Sequence, residues 1–209
     1  MTRVLYIKAS PRGGLSQSAA IASVFLEELR LRDADLAVDE LDLSREILPE
    51  FDGDRAAAKM ALILGRNQSG HERTAWDAVV ETVERFRRAD VYVLAVPMWN
   101  GGIPYRLKQY IDLIHQPGLL FKLDPSTGYR GLLEGKKAVL CLTSGAYGPS
   151  RPSPAFGADH HGAYLRFWLN QAGVTDQREI RFQPTIVTPD PAGDFERAKE
   201  DARQLARRW

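Results

Sequence analysis

Three near-continuous apolar runs, Val4–Ile7, Val91–Val96 and Ala138–Leu142, constrain this chain more than any other feature. A strand that is apolar at every position is covered on both faces, which is the mark of a parallel sheet between helical layers. Each run stops at a loop rich in small and polar residues. These are Ser10-Pro11-Arg12-Gly13-Gly14, Pro97-Met98-Trp99-Asn100-Gly101-Gly102 and Thr143-Ser144-Gly145-Ala146-Tyr147-Gly148. Between them lie helical stripes: Ile21, Val24, Phe25 and Leu29, then Trp76, Val79, Val80, Val83 and Phe86, then Ile103, Leu107, Tyr110, Ile111 and Ile114. Pro104 reads as the first helical position of the last of these.

The rest of the chain is less sharply patterned. Leu36–Leu43 alternates in part, as an edge strand does, and a short strand is expected around Ile180–Phe182. Helices are predicted over Asp54–Leu64, over Ala163–Ala172 with Gly173 as its stop, and from Ala192 to Arg208. Gln116–Gly135 reads as one long loop. Its Leu119, Leu120 and Phe121 have no evident place in a five-stranded core, so they predict a homodimer interface.

Strands alternating with helices predict one α/β domain over residues 1–209, a three-layer α/β/α sandwich of flavodoxin-like type. Its five-stranded parallel sheet would follow the order 2-1-3-4-5, with ligands bound beyond the strand ends at the switch point. The three polar loops would share that edge. In the first, Ser10, Ser16 and Ser18 offer hydroxyls and Gln17 an amide beside the free N–H groups of a helix start. That end carries partial positive charge and suits an anion. The loop has neither the G-x-G-x-x-G of a dinucleotide site nor the G-x-x-x-x-G-K-[ST] of a triphosphate site. What remains is a phosphate monoester site, the kind that a mononucleotide such as FMN uses. Trp99, directly after a buried strand, is placed to pack beside such a flavin and to limit the substrate slot.

Composition narrows the function classes. Lys+Arg 28 against Asp+Glu 27 gives a net charge of +1, which argues against a nucleic-acid or membrane-surface partner. No apolar run approaches the roughly 18 residues of a spanning helix. The amino terminus enters a strand at once, so no signal peptide and a cytoplasmic location are expected. The single cysteine, Cys141, lies in an apolar strand and reads as a core residue. His160-His161 are adjacent and lack a supporting cysteine or carboxylate cluster, so no metal site is expected. His115 is expected to meet the carbonyl end of its helix. No G-x-S-x-G elbow is present.

Ser10 with Ser16-Gln17-Ser18, Pro97-Met98-Trp99-Asn100, Leu107-Lys108-x-Tyr110-x-Asp112 and Gly135-Lys136-Lys137-Ala138 together resemble the FMN-dependent NADH:quinone oxidoreductase and azoreductase family. The resemblance runs in matching order from Val4 to about Phe182. It implies that Ser10, Ser16, Gln17 and Ser18 hold the FMN phosphate, and that Pro97, Met98, Trp99, Asn100 and Gly101 run along the ring. It implies that Ser144, Gly145, Ala146 and Tyr147 cover the pyrimidine end. A homodimer is implied as well, with the Phe121 loop reaching the other subunit's flavin and substrate. NADH or NADPH would be the reductant and a quinone or azo compound the acceptor. The chemistry would belong to the flavin, with no acid–base residue in the protein.

The family commonly has Tyr where Trp99 stands and Arg-Gly-Gly after the serine, where this chain has Gly145-Ala146-Tyr147-Gly148. A second class stays open, an electron-carrier flavodoxin that docks protein partners. Such carriers are usually strongly acidic, and this chain is not.

Overall fold

The computed structural model describes residues 1–209. The chain runs β1 (Arg3–Lys8), α1 (Gln17–Arg32), β2 (Ala37–Asp42), α2 (Gly53–Ile63), α3 (Gly70–Arg87), β3 (Val91–Pro97) and α4 (Tyr105–Ile114). It continues through β4 (Phe121–Asp124), β5 (Gly128–Gly131), β6 (Lys137–Thr143), α5 (His160–Ala172), β7 (Asp176–Phe182) and α6 (Pro191–Arg208). Five parallel strands form one sheet in the order β2-β1-β3-β6-β7, while β4 and β5 pair antiparallel in a separate hairpin.

The period of two along the central strands divides the core. Tyr92, Leu94 and Val96 of β3, with Leu140 and Leu142 of β6, face a cluster built from α3, α4 and α5. Val91, Val93 and Ala95, with Val139 and Cys141, face the other side, against α1 and α6. Both faces of β1, β3 and β6 are therefore dry, which is why their sequences carry no alternation. α6 meets the sheet through Ala198, Ala202 and Ala206, one small residue per turn.

The segment Gln116–Gly135 departs from the expected loop. Phe121–Asp124 and Gly128–Gly131 form the hairpin, closed by an Asx turn in which Asp124 Oδ1 accepts from the N–H of Ser126 (2.8 Å) and of Thr127 (3.0 Å). Leu120 is fully buried in the larger cluster, and Phe121 is 8% exposed and stacked on His115 at 4.6 Å. These residues do have a place in the core, so they do not supply the exposed apolar surface expected of them. The hairpin's exposed apolar residues are Leu123 and Tyr129. Pro104 is the N-cap of α4 rather than its first residue. His115 does not hold a helix carbonyl: both ring nitrogens are buried without a hydrogen bond, and burial pushes its pKa down to about 4.

His160 and His161 stand in the first turn of α5, not in a strand or loop. His161 is fully buried, with Nε2 3.1 Å from the Gln183 amide nitrogen and Nδ1 3.4 Å from Asp159 Oδ1. Asp159, Glu179, Arg166 and Arg181 surround it as a salt-bridge network. Burial lowers the imidazole pKa from 6.5 to about 4, against the attraction of Asp159. The fold thus favours the neutral ring, and the unfolded chain takes the proton first. Stability is complete above about pH 6.5 and declines as pH falls toward 4, by on the order of 3 kcal/mol for this one group. Denaturant midpoints between pH 7 and 4.5 should fall for the wild type and be flatter for His161→Asn. Parallel profiles for the two proteins would show that His161 is not responsible.

Candidate functional site

β1, β3 and β6 lie side by side, so their carboxyl ends bring three loops to one edge of the sheet. Beyond the strands proper, the Ala9 N–H donates to Ala95 O at 3.1 Å and the Met98 N–H to Thr143 O at 2.7 Å. Ser10, Met98 and Ser144 thereby open their loops from neighbouring strand ends.

The first loop makes a 3-10 turn over Gly13–Leu15 and enters α1 through Ser16, its N-cap. Ser16 Oγ accepts from the Ala19 N–H at 3.3 Å and lies 3.2 Å from Ser18 Oγ. The N–H groups of Gln17 and Ser18 have no acceptor within the helix. Ser10, Ser16 and Ser18 are all buried, and Ser10 Oγ meets only the Arg12 N–H, at 3.4 Å. Buried hydroxyls around a helix N-terminus, with donors to spare, match the chemistry of a phosphate monoester. The residues present therefore fit the phosphate end of FMN.

The second loop is a tight turn. Trp99 and Gly102 exchange both main-chain hydrogen bonds (2.9 and 3.0 Å), and the two residues between them, Asn100 (φ 48°) and Gly101 (φ 83°), are both left-handed. That is a type I′ turn, for which Asn-Gly is the preferred pair. It presents Trp99, 44% exposed, at the mouth of a cavity of about 1000 Å³.

The third loop is tied down by its own bonds. Ser144 Oγ donates to Tyr147 O at 2.6 Å. Ser144 O accepts from the Thr185 N–H at 2.8 Å, and Gly145 O accepts from the Ile186 N–H at 3.0 Å. Gly148 packs so closely on Pro184 that a Cβ would lie 2.6 Å from its Cδ, so a larger residue would displace the loop.

Of the residues singled out in the sequence, Trp99 and Asn100 line the cavity. Ser10, Ser16, Gln17 and Ser18 form the adjoining helix start, and Ser144–Tyr147 form the third loop; neither group lines the cavity. Phe121 does not line this cavity and is packed between His115 and Tyr129, while the contact expected of it is with the other subunit's site. Further apolar wall comes from Ala9, Pro11, Phe51, Ile103, Pro104, Tyr105 and Tyr164, and polar wall from Ser44, from Arg106, Lys108, Gln109 and Asp112 of α4 and from His160, none of which sequence reasoning assigned to the site. Asn100-Gly101 was a usable signal for the turn; Phe51 and Tyr164 carried none, because they are brought in from α2's approach and from α5. Burial raises the Tyr164 hydroxyl to about 12, so it stays protonated there.

The sequence profile of the flavodoxin-like fold family matches residues 2–206. A protein of Ruegeria pomeroyi named FMN-dependent NADH:quinone oxidoreductase is 49% identical over 198 residues, covering 95% of this chain and 97% of that one. An azoreductase from Bacillus anthracis str. Sterne superposes with a TM-score of 0.89 at 26% identity, covering all of both chains. A FMN-dependent NADH-azoreductase from Bacillus anthracis str. Ames Ancestor, solved in complex with FMN, gives a TM-score of 0.86 at 25% identity over 100% of this chain and 99% of that one. On the profile match and the near full-length likeness to the Ruegeria protein, the chain belongs to the flavodoxin-like fold family, alongside proteins named FMN-dependent NADH:quinone oxidoreductases.

Proposed function

We propose that this protein is an FMN-dependent NAD(P)H:quinone oxidoreductase with azoreductase activity, acting as one unit over residues 1–209. The carrying observation is the meeting of three loops, after β1, β3 and β6, beside a cavity of about 1000 Å³. The names of its relatives support the same reading. FMN, when bound, supplies two-electron hydride chemistry between a nicotinamide and a quinone or azo acceptor.

The protein's own part is to bind and orient. Ser10, Ser16, Gln17 and Ser18, with the free amides of α1, would hold the phosphate. Pro97–Gly101 would flank the ring from the type I′ turn, and the main-chain amides of Ser144–Tyr147 would face its pyrimidine end. Because Ser144 Oγ and two carbonyls of that loop are already bonded within the protein, its amides are held in place without any charged side chain. No acid–base residue is required. Steady-state NADH oxidation with a small quinone, with no partner protein present, tests the reading; turnover that needs a protein partner would point to an electron carrier instead.

Trp99 stands at the cavity mouth and would limit how acceptors enter. Trp99→Ala is expected to change the KM for bulky quinones several-fold while the flavin content after dialysis stays that of wild type. Equal KM values across a series of acceptor sizes would remove Trp99 from the substrate slot.

The same reading includes a cytoplasmic homodimer. Its support is the exposed apolar surface of Leu123 and Tyr129 on the hairpin, with Trp99 and Tyr105 at the cavity mouth. Sedimentation at micromolar concentration should give twice the chain mass; an active, fully flavinated monomer would overturn the dimer.

A further inference from the structure

One wall of the cavity, carrying Ser44 and Phe51, belongs to the irregular stretch between β2 and α2. Main-chain carbonyls outside regular structure need donors from elsewhere. Two side chains of α4, three residues apart and so on one helix face, supply them, and both also border the cavity themselves. Arg106 Nε donates to Leu43 O at 2.9 Å, and Arg106 Nη2 donates to Glu46 O. Arg106 Nη1 donates to Gln109 Oε1 at 2.7 Å, which turns the Gln109 amide so that its Nε2 donates to Pro49 O at 3.2 Å. The carbonyls held are those of residues 43, 46 and 49, at even spacing along the segment. Between them Leu43 and Leu48 sink into the core, while Ile47 is exposed and gives no anchorage.

We propose that Arg106 and Gln109 are positioning residues that set acceptor preference, by latching Leu43–Pro49 to α4 so that Phe51 stands as a fixed wall of the cavity. The inference rests on the oxidoreductase reading above. A wall that is already ordered spares an acceptor the cost of ordering it on binding. A fused three-ring quinone has more apolar area to lay against such a wall than a one-ring quinone has, so the latch is expected to favour extended planar acceptors. Lysine cannot replace Arg106 here, since its ammonium lacks the planar fork that reaches two carbonyls and an amide oxygen together.

The test compares wild type, Arg106→Lys and the milder Gln109→Ala as full-length holoenzyme. The KM for a three-ring quinone is expected to rise about tenfold in Arg106→Lys, corresponding to about 1.4 kcal/mol, and less in Gln109→Ala. Each kcat should stay within about twofold, and the KM for a one-ring quinone should move far less. Hydrogen exchange of the main-chain amides of residues 44–48 and 50–52, measured on the same holoenzymes without acceptor, should accelerate in the same order while the amides of β3 do not. Exchange as slow as wild type in both variants overturns the latch. Accelerated exchange with an unaltered KM ratio overturns its role in acceptor preference, and so does a KM effect of Arg106→Lys that persists in full in a Phe51→Ala background, which would mean that Arg106 meets the acceptor directly. If Arg106→Lys fails to fold, Gln109→Ala, which loses one backbone bond, decides by the same two readouts. A wild type with no NADH-driven quinone reduction would instead overturn the functional reading, and the exchange arm would still report on the latch.

Discussion

Replacing Ser16 and Ser18 together by alanine is expected to leave largely apoprotein after dialysis, recoverable with excess FMN. Each hydroxyl would give a hydrogen bond to a charged phosphate, on the order of 1.5–3 kcal/mol apiece, so the pair corresponds to a loss of roughly a hundredfold or more in affinity. The two hydroxyls lie 3.2 Å apart, so their effects will not be strictly additive. Stability should suffer less. Ser16 is the N-cap of α1, and losing its bond to the Ala19 N–H costs about 1 kcal/mol, while Ile21, Phe25 and Leu29 keep the helix on the sheet. Riboflavin, which has the ring but no phosphate, is the discriminating ligand. Fluorescence titration should show wild type strongly preferring FMN and the double variant losing most of that preference. The same FMN-to-riboflavin ratio in both proteins would put the phosphate elsewhere.

A second large effect is expected far from the cofactor edge, at Gly131. This last residue of β5 lies against the turn that ends α5, and a Cβ there would sit 2.1 Å from Gly173 N and 2.3 Å from its Cα. Backbone, unlike a side-chain tip, cannot swing aside. Gly173 is itself held in the left-handed region (φ 100°) as the C-cap of α5, and the Leu132 and Leu133 N–H groups both donate to Ala172 O. Gly131→Ala must therefore push the hairpin off α5 or break this seam, at roughly 3 kcal/mol or more. For a chain of this length that lowers Tm by roughly 6–12 °C. Gly70→Ala is the matched control, since its Cβ would meet nothing within 4 Å. Calorimetry that gives Gly131→Ala the melting temperature of wild type would show that the hairpin is not seated as described.

These two sites mark the range of what the sequence made legible. Ser16 could be read because an N-cap is a local matter, a short polar side chain ahead of an apolar stripe, and the same holds for the dry strands β1, β3 and β6. The hairpin could not be read. Its strands are four residues each, Phe-Lys-Leu-Asp and Gly-Tyr-Arg-Gly, too short and too charged to carry a period. What seats it is glycine against glycine, a contact with no side-chain signature. The cavity falls between these cases. Its Trp99-Asn100-Gly101-Gly102 turn announces itself, but Phe51 and Tyr164 are more than a hundred positions apart and meet only once the layers have formed.

The split of the core between the two faces of the sheet has a consequence for how this protein can change. Phe51, Ile103, Tyr105 and Tyr164 all come from the layer that holds α2 to α5. The helices of the opposite layer, α1 and α6, contribute nothing to the cavity wall, which that side reaches only through Pro11 in the loop before α1. Substitutions in separate layers share no partners and should combine additively. Heat tolerance can thus be adjusted on the α6 side and acceptor range on the other. A lineage, or a designer, can move along one axis without retreating on the second.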